Sequence, residues 1–453
     1  MAGRPPNRSS EFGKNDEMSI AANSLRTYFF RIATAVMGFL IGVLIARFLG
    51  PSGKGYYSGV FLYYGLLVQV FGSFATAIVY QITRKGEEPK TVFITATVYS
   101  LGIGIAVLAL MGLYRFISPD KPDWPILLVF CIFPLTLVMS NFSGVFQGLN
   151  RIITLNWIGI SQALFQLVLL SVGFFGFRIK VEEAIGIWFV SQLAAIAVTL
   201  WMGREFWLPP LRHQFSGPLL RSMLGFGWQI SLVTVVGILN SRIDSLFVLN
   251  YLKAREYGLY SVSVNAAEIL WYASSAIAVA ICARVGTTER DPAASLTARA
   301  VRHTLIINLP LAILMWCAAW LIPWVYTAKF SEAVLPFRIL LPGVLFYSVA
   351  GIFYTFFSNQ LGKPRYTLLV STTALVVDGL ACLAFIPSLG MTGAAWANTI
   401  SYLIATCLTI FLFCKETGIT VTGLLRITRD DVADYRLLFL NIRSLINRKS
   451  GRP

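Results

Sequence analysis

Five ionisable residues stand inside long apolar runs: Arg31, Arg242, Asp244, Glu268 and Asp378. A charge at the centre of a hydrocarbon layer costs about 2.5–3.5 kcal/mol even on the mildest scales, so each marks a partner, a hydrated cleft or a ligand. An arginine there can grip an anion, because its planar fork bonds two oxygens of a phosphate or carboxylate and stays charged when buried. A carboxyl in the same setting can carry a proton or hold a small cation. Asp378, among Ala374, Leu375, Val376, Val377, Leu380 and Ala381, is the most exposed to desolvation, and is expected either to couple a proton or to be a bonded structural residue. Arg31 lies in the N-terminal half of its run, where its head faces a cleft or snorkels to the headgroups. Arg242 and Asp244, two apart, fall on different helix faces, and Asp244 is expected to pair with Arg31 or with another helix. Asn240 and Asp244 share one face, as do Ser261, Asn265, Glu268 and Tyr272, by three- and four-residue spacing. Such a polar stripe faces protein or water.

Other chemistries find little support. The six cysteines, Cys131, Cys282, Cys317, Cys382, Cys407 and Cys414, all lie in apolar runs without a CxxC spacing, and His213 and His303 stand alone, so neither a disulfide framework nor a zinc site is expected. Gly53-Lys54 is not a phosphate loop, since Phe48 and Gly55 occupy the places that need Gly and Ser or Thr. Catalysis is not expected: loops assigned to the outer face are short, the best offering only Asp120 and Asp123. Aromatics such as Tyr63, Tyr64, Trp271, Tyr347 and Tyr354 can stack on sugar rings, although most are expected to meet lipid or neighbouring helices.

The elements that carry these residues follow from composition. The chain of 453 residues is 56% apolar and only 13% charged, against about 25% charged in soluble domains. Its apolar runs are each about 20 to 25 residues long, enough to cross a hydrocarbon layer of about 30 Å. We expect an all-α integral membrane protein with about twelve transmembrane helices, near 20–49, 56–83, 91–114, 125–148, 153–176, 183–203, 220–250, 257–283, 300–326, 335–360, 366–386 and 391–414. Lys and Arg gather at Arg84, Lys85, Lys90, Arg151, Arg204, Arg212, Arg284, Arg290 and Lys363, which places those loops and both termini in the cytoplasm. The net charge of +16 is accounted for by that topology and by anionic membrane lipids, so nucleic-acid binding is not expected. The expected organisation is a cytoplasmic tail over 1–19, an N-lobe over 20–213, a C-lobe over 214–415 and a basic amphipathic cytoplasmic tail over 416–453, read as an anchor that is partly disordered. Glycines 50, 53 and 55 are expected to make a tight turn, and Gly38 and Gly42 to let two helices approach.

An internal repeat is visible. Leu49, Gly55, Tyr57 and Ser58 match Leu252, Gly258, Tyr260 and Ser261 at one offset, and Pro134, Ser140 and Trp188 match Pro342, Ser348 and Trp396 at a second. Two six-helix lobes of the same orientation follow, related by a pseudo-two-fold axis along the membrane normal.

The segment Ala46-Arg47-Phe48-Leu49-Gly50-Pro51-Ser52-Gly53-Lys54-Gly55-Tyr56-Tyr57-Ser58 closely resembles the first-loop signature of bacterial polysaccharide and O-antigen flippases, of the multidrug/oligosaccharidyl-lipid/polysaccharide exporter superfamily. Arg242 to Leu249 followed by Gly258 to Ser261, and Ile386 to Thr399, resemble the family's second half and its last helix pair, so the likeness runs to about residue 415. It implies a flippase of the bacterial inner membrane that moves a polyprenyl-diphosphate-linked oligosaccharide, a cell-surface or lipopolysaccharide precursor, by alternating access. Polysaccharide assembly proteins are implied as partners. The substrate's diphosphate points to Arg31, Arg242 and Arg151 as binding residues, and Asp378, Asp244, Glu268, Asn240 and Asn265 are candidates for ion coupling. No cofactor is expected beyond H+ or Na+ as the coupling ion. Asp378 departs from the neutral polar residue expected of the family, which leaves that ion open. Alternatives are the same fold exporting lipid II or a drug-like cation, or a membrane polymerase or ligase.

Overall fold

The computed structural model describes residues 11–117, 124–208, 215–271, 274, 290–426 and 431. Among them regular structure is helical throughout. Among the described residues, ten segments are long and apolar enough to span a membrane. The first of these is two helices joined at Gly50, and Ala254–Ala267 is helical where the eighth run begins, so the described helices stand where the twelve apolar runs predict them. We label them α1 (11–49), α2 (51–85), α3 (Pro89–Ile117), α4 (Trp124–Gly148), α5 (Ile152–Phe177), α6 (Val181–Met202), α7 (Gly217–Tyr251), α8 (Ala254–Ala267), α9 (Ala293–Tyr326), α10 (Ala328–Ser358), α11 (Pro364–Leu389) and α12 (Met391–Thr417). The chain is a multi-pass membrane protein. Large exposed apolar side chains, including Leu110, Phe116, Trp201 and Phe411, suit helices whose outward faces meet hydrocarbon.

Two compact units divide between Val235 and Val236. In the first, Tyr57, Tyr64, Phe133, Phe174 and Trp188 form one core near the Gly50 end. Phe74, Phe93, Phe142, Phe146 and Met223 form another near the Lys85 end. Glycine allows a close approach there: a Cβ on Gly144 of α4 would lie 2.8 Å from the backbone oxygen of Ala75. In the second unit Phe353, Phe356, Phe357 and Phe413 centre a core shared by α9, α10, α11 and α12, and α12 packs along both α10 and α11.

Several expectations need correction. The turn after α1 is a single residue, Gly50 at φ 68° and ψ −176°, and Pro51 starts α2 because its fixed φ suits a first helical position. Gly53 and Gly55 lie inside α2, and Lys54, expected in a loop, is only 6% exposed. Gly38 and Gly42 have no heavy atom within 4 Å of an added Cβ, so the pair makes no close helix contact; bulky neighbours on α1, such as Phe39 and Leu40, are themselves exposed. The first helix begins at Glu11, ahead of residue 20. The repeat partners Trp188 and Trp396 differ in setting: Trp188 packs on Phe61 and Tyr64, while Trp396 is 47% exposed. The described part of the tail is anchored. After α12 the short helix Val421–Leu425 follows, Leu424 joins the second unit's core, and the fully buried Asp431 pairs with Arg302 of α9 at 2.7 Å. The other residues of 427–453, like Asp120, Asp123, His213 and most of 272–289, lie outside the described residues.

Candidate functional site

Asn240 and Asp244 stand one turn apart on α7, and both are buried in the second unit. The Asp244 carboxyl collects three hydrogen bonds. Tyr260 Oη on α8 donates to Oδ2 at 2.6 Å, Asn398 Nδ2 on α12 donates to the same oxygen at 3.0 Å, and the backbone N–H of Ser245 donates to Oδ1 at 2.6 Å. One carboxyl thus ties three helices, which is how a buried acid is accommodated in an apolar interior. Asp378 on α11 is equally buried. Its Oδ1 accepts only a weak bond from Cys382 Sγ at 3.5 Å, one turn along, and its Oδ2 has no partner. It is close enough to Asp244 for the two carboxyls to interact electrostatically. The amide oxygen of Asn398 is also buried and unpartnered. Two carboxyls and spare oxygen lone pairs in a dry interior can take up a proton or a small hard cation, which prefers oxygen ligands. No group of three or more His, Cys, Asp or Glu able to hold a metal occurs among the described residues.

A second cluster adjoins the first. Arg242 is gripped bidentately by Glu268, with NH1 donating at 3.0 Å and NH2 at 3.3 Å. The two side chains are 32% and 18% exposed, so the pair is reachable. Asn240 Nδ2 donates to Tyr347 Oη at 2.9 Å, and the Tyr347 ring stacks on Tyr402 with centroids 4.2 Å apart and planes at 9°. Trp271 lies within 6.2 Å of Tyr347 and 6.1 Å of Tyr402. A small cavity is lined by Ser241, Glu268, Trp271, Val344, Asn398 and Tyr402, and the Trp271 indole N–H is buried without an acceptor.

The sequence candidates are placed unevenly. Asp244, Asp378, Glu268, Asn240 and Arg242 come together within the second unit. Asn265 is exposed and stands apart from these bonds. Arg151 lies at the start of α5, 45% exposed and paired with Glu205. Arg31 lies on α1, with its side chain outside those described. Tyr260, Asn398, Tyr402 and Cys382 join the network without being sequence candidates; the four-residue spacings of Asp378 with Cys382 and Asn398 with Tyr402 are the signals for three of them. Among the described residues, the buried polar groups of the first unit are neutral apart from Lys54: Tyr64 bonds Thr136 at 2.6 Å, Gln166 bonds Tyr57 at 3.1 Å and Asn141 bonds Ser100 at 2.9 Å.

A family model described as polysaccharide biosynthesis protein matches residues 20–285, more than half of the chain. The chain belongs to the polysaccharide biosynthesis protein family. Among solved structures, an inward-facing multidrug resistance MATE family transporter of the MOP superfamily superimposes with a TM-score of 0.70 at 12% identity, covering 85% of this chain and 94% of its own. The lipid II flippase MurJ in an inward closed conformation gives 0.68 at 14% identity, covering 94% and 100%. A MOP superfamily transporter from Pyrococcus furiosus gives 0.60 at 13% identity, covering 89% and 95%. These likenesses give this family member the fold of MOP transporters and flippases. No curated protein matches the chain in sequence.

Proposed function

We propose that this protein is a flippase that carries a polyprenyl-diphosphate-linked oligosaccharide, a precursor of a cell-surface polysaccharide such as O-antigen, across the bacterial inner membrane, with both termini in the cytoplasm. The observation that carries the reading is Arg242, a half-buried guanidinium whose fork already holds a carboxylate bidentately. A diphosphate offers the same paired oxygens, and it cannot enter a low-dielectric cleft without a cation to meet it. Arg31 on α1 is the second cation of this reading and meets the head during loading. The sugar part finds aromatic faces at Tyr347, Tyr402 and Trp271. Asp244 and Asp378 bind the driving cation, H+ or Na+, and its release accompanies the change of access.

The acids of the site outnumber its arginine, which supports a small cation as the driving ion and would equally suit a cationic cargo. Transport itself separates the two. In proteoliposomes bearing a labelled undecaprenyl-diphosphate sugar in one leaflet, the parent protein is expected to equilibrate the label, and Arg31→Ala and Arg242→Ala at equal abundance to slow it. Movement of a drug-like cation with no movement of the lipid-linked sugar refutes the proposal. In cells lacking the gene, undecaprenyl-linked intermediates are expected to accumulate on the cytoplasmic side.

A further inference from the structure

Arg242 does not face the site as a free cation. Both of its terminal nitrogens are bonded to the two oxygens of Glu268, the fork-to-fork geometry that a phosphate would otherwise use. From this geometry we infer that Glu268 is an internal competitor for the substrate's diphosphate: the carboxylate occupies the arginine fork when no substrate is bound, and neutralising it hands the fork to the phosphate. The inference rests on the proposed reading of the cargo as a lipid diphosphate.

The surroundings favour exchange over a fixed strut. The arginine is 32% exposed and the acid 18%, so water and a ligand can reach the pair. Glu268 lies where the regular turns of α8 loosen, directly after Ala267, and it lines the cavity together with Trp271 and Tyr402. The groups that face it are Arg242 and Asp244 from α7 and Tyr402 from α12, while α10 contributes only Leu340 and Val344 to the cavity. Arg242 is thus the one cation among these, and Asp244 is engaged by Tyr260 and Asn398. A proton arriving from water on the Glu268 carboxylate cancels its charge, and the guanidinium then turns to the diphosphate. When the substrate leaves, the proton returns to water and the internal pair closes again. Substrate capture and proton uptake become one event, separate from the cation held by Asp244 and Asp378.

The test is binding of undecaprenyl diphosphate in mixed micelles to the full-length protein. The parent is expected to bind more tightly at pH 6 than at pH 8. Glu268→Gln is expected to bind about tenfold more tightly than the parent at pH 8, the scale of releasing a partly buried ion pair, and to lose most of the pH dependence. Glu268→Asp, with a shorter reach and the same charge, is expected to fall between them and to keep its pH dependence, which covers the case of a Gln variant that folds poorly. Arg242→Gln abolishes the gain in combination with Glu268→Gln. If the parent binds the diphosphate but neither Glu268 variant binds more tightly, the pair is a strut and the inference fails while the flippase reading stands. If no version binds undecaprenyl diphosphate, the reading fails and the inference with it.

Discussion

Replacing Tyr260 by Phe removes one hydroxyl from the core of the second unit, and its cost can be worked from the bonds at Asp244. Three donors serve that carboxyl, two of them on Oδ2, so the variant leaves Oδ2 with Asn398 alone. The Tyr260 bond measures 2.6 Å, the length of a hydroxyl bonded to a carboxylate. Bonds to charged groups contribute about 1.5–3 kcal/mol in soluble proteins. Within membranes measured side-chain bonds average only about 0.6 and reach about 1.7 kcal/mol, because the unfolded chain finds other partners. A short bond to a fully buried acid belongs at the upper end, so we expect a loss of about 1.5 kcal/mol, or a factor of about ten in the unfolding equilibrium. Reversible unfolding in mixed detergent micelles measures it, in a double-mutant cycle with Asp244→Asn. The two losses should fall short of additivity by about 1 kcal/mol, since the bond from Tyr260 to a charged carboxylate is absent from both variants. Additivity within about 0.3 kcal/mol would show that Tyr260 and Asp244 are not coupled, and the three-helix tie described above would be wrong.

Three further outcomes are expected. Ser52 and Glu87 are both exposed, so cysteines placed there should be labelled by an impermeant reagent in intact cells at position 52 and not at 87; equal labelling rejects the proposed orientation. Asp378→Asn keeps the shape of a fully buried side chain but cannot exchange a proton, so gradient-driven transport should be lost while insertion and abundance are unchanged; wild-type transport leaves Asp378 a structural role only. Gly50 holds a φ of 68° with ψ −176°, a region essentially closed to other residues, so Gly50→Ala should destabilise by about 1–3 kcal/mol, read as a lowered melting temperature.

The helices were legible in the sequence because lipid imposes length and apolarity directly, and the break between α1 and α2 was legible because Gly50-Pro51 cannot continue a helix. The pairing of the charges was not. Arg242 and Glu268 are 26 residues apart on different helices, and no periodicity links them. Asn398 lies 154 residues from Asp244, in a stretch whose glycines and alanines suggest only a turn and close packing. Asn265 shares the α8 spacing with Glu268 but ends exposed, because helical periodicity fixes which residues share a face and leaves the neighbour of that face to the tertiary packing.

The confinement of buried acids to Val236–Pro453 among the described residues bears on energetics. A duplicated architecture could carry two ion sites, yet only one half supplies the carboxyls for one. If Asp244 and Asp378 share a single monovalent ion, each turnover moves one elementary charge, which a membrane potential of 100 mV drives with about 2.3 kcal/mol. That sum supports a concentration ratio of about 50 across the membrane for an uncharged cargo. The proposed diphosphate cargo is itself negative, and an inside-negative potential favours its outward passage, so it needs no steeper ratio from the ion.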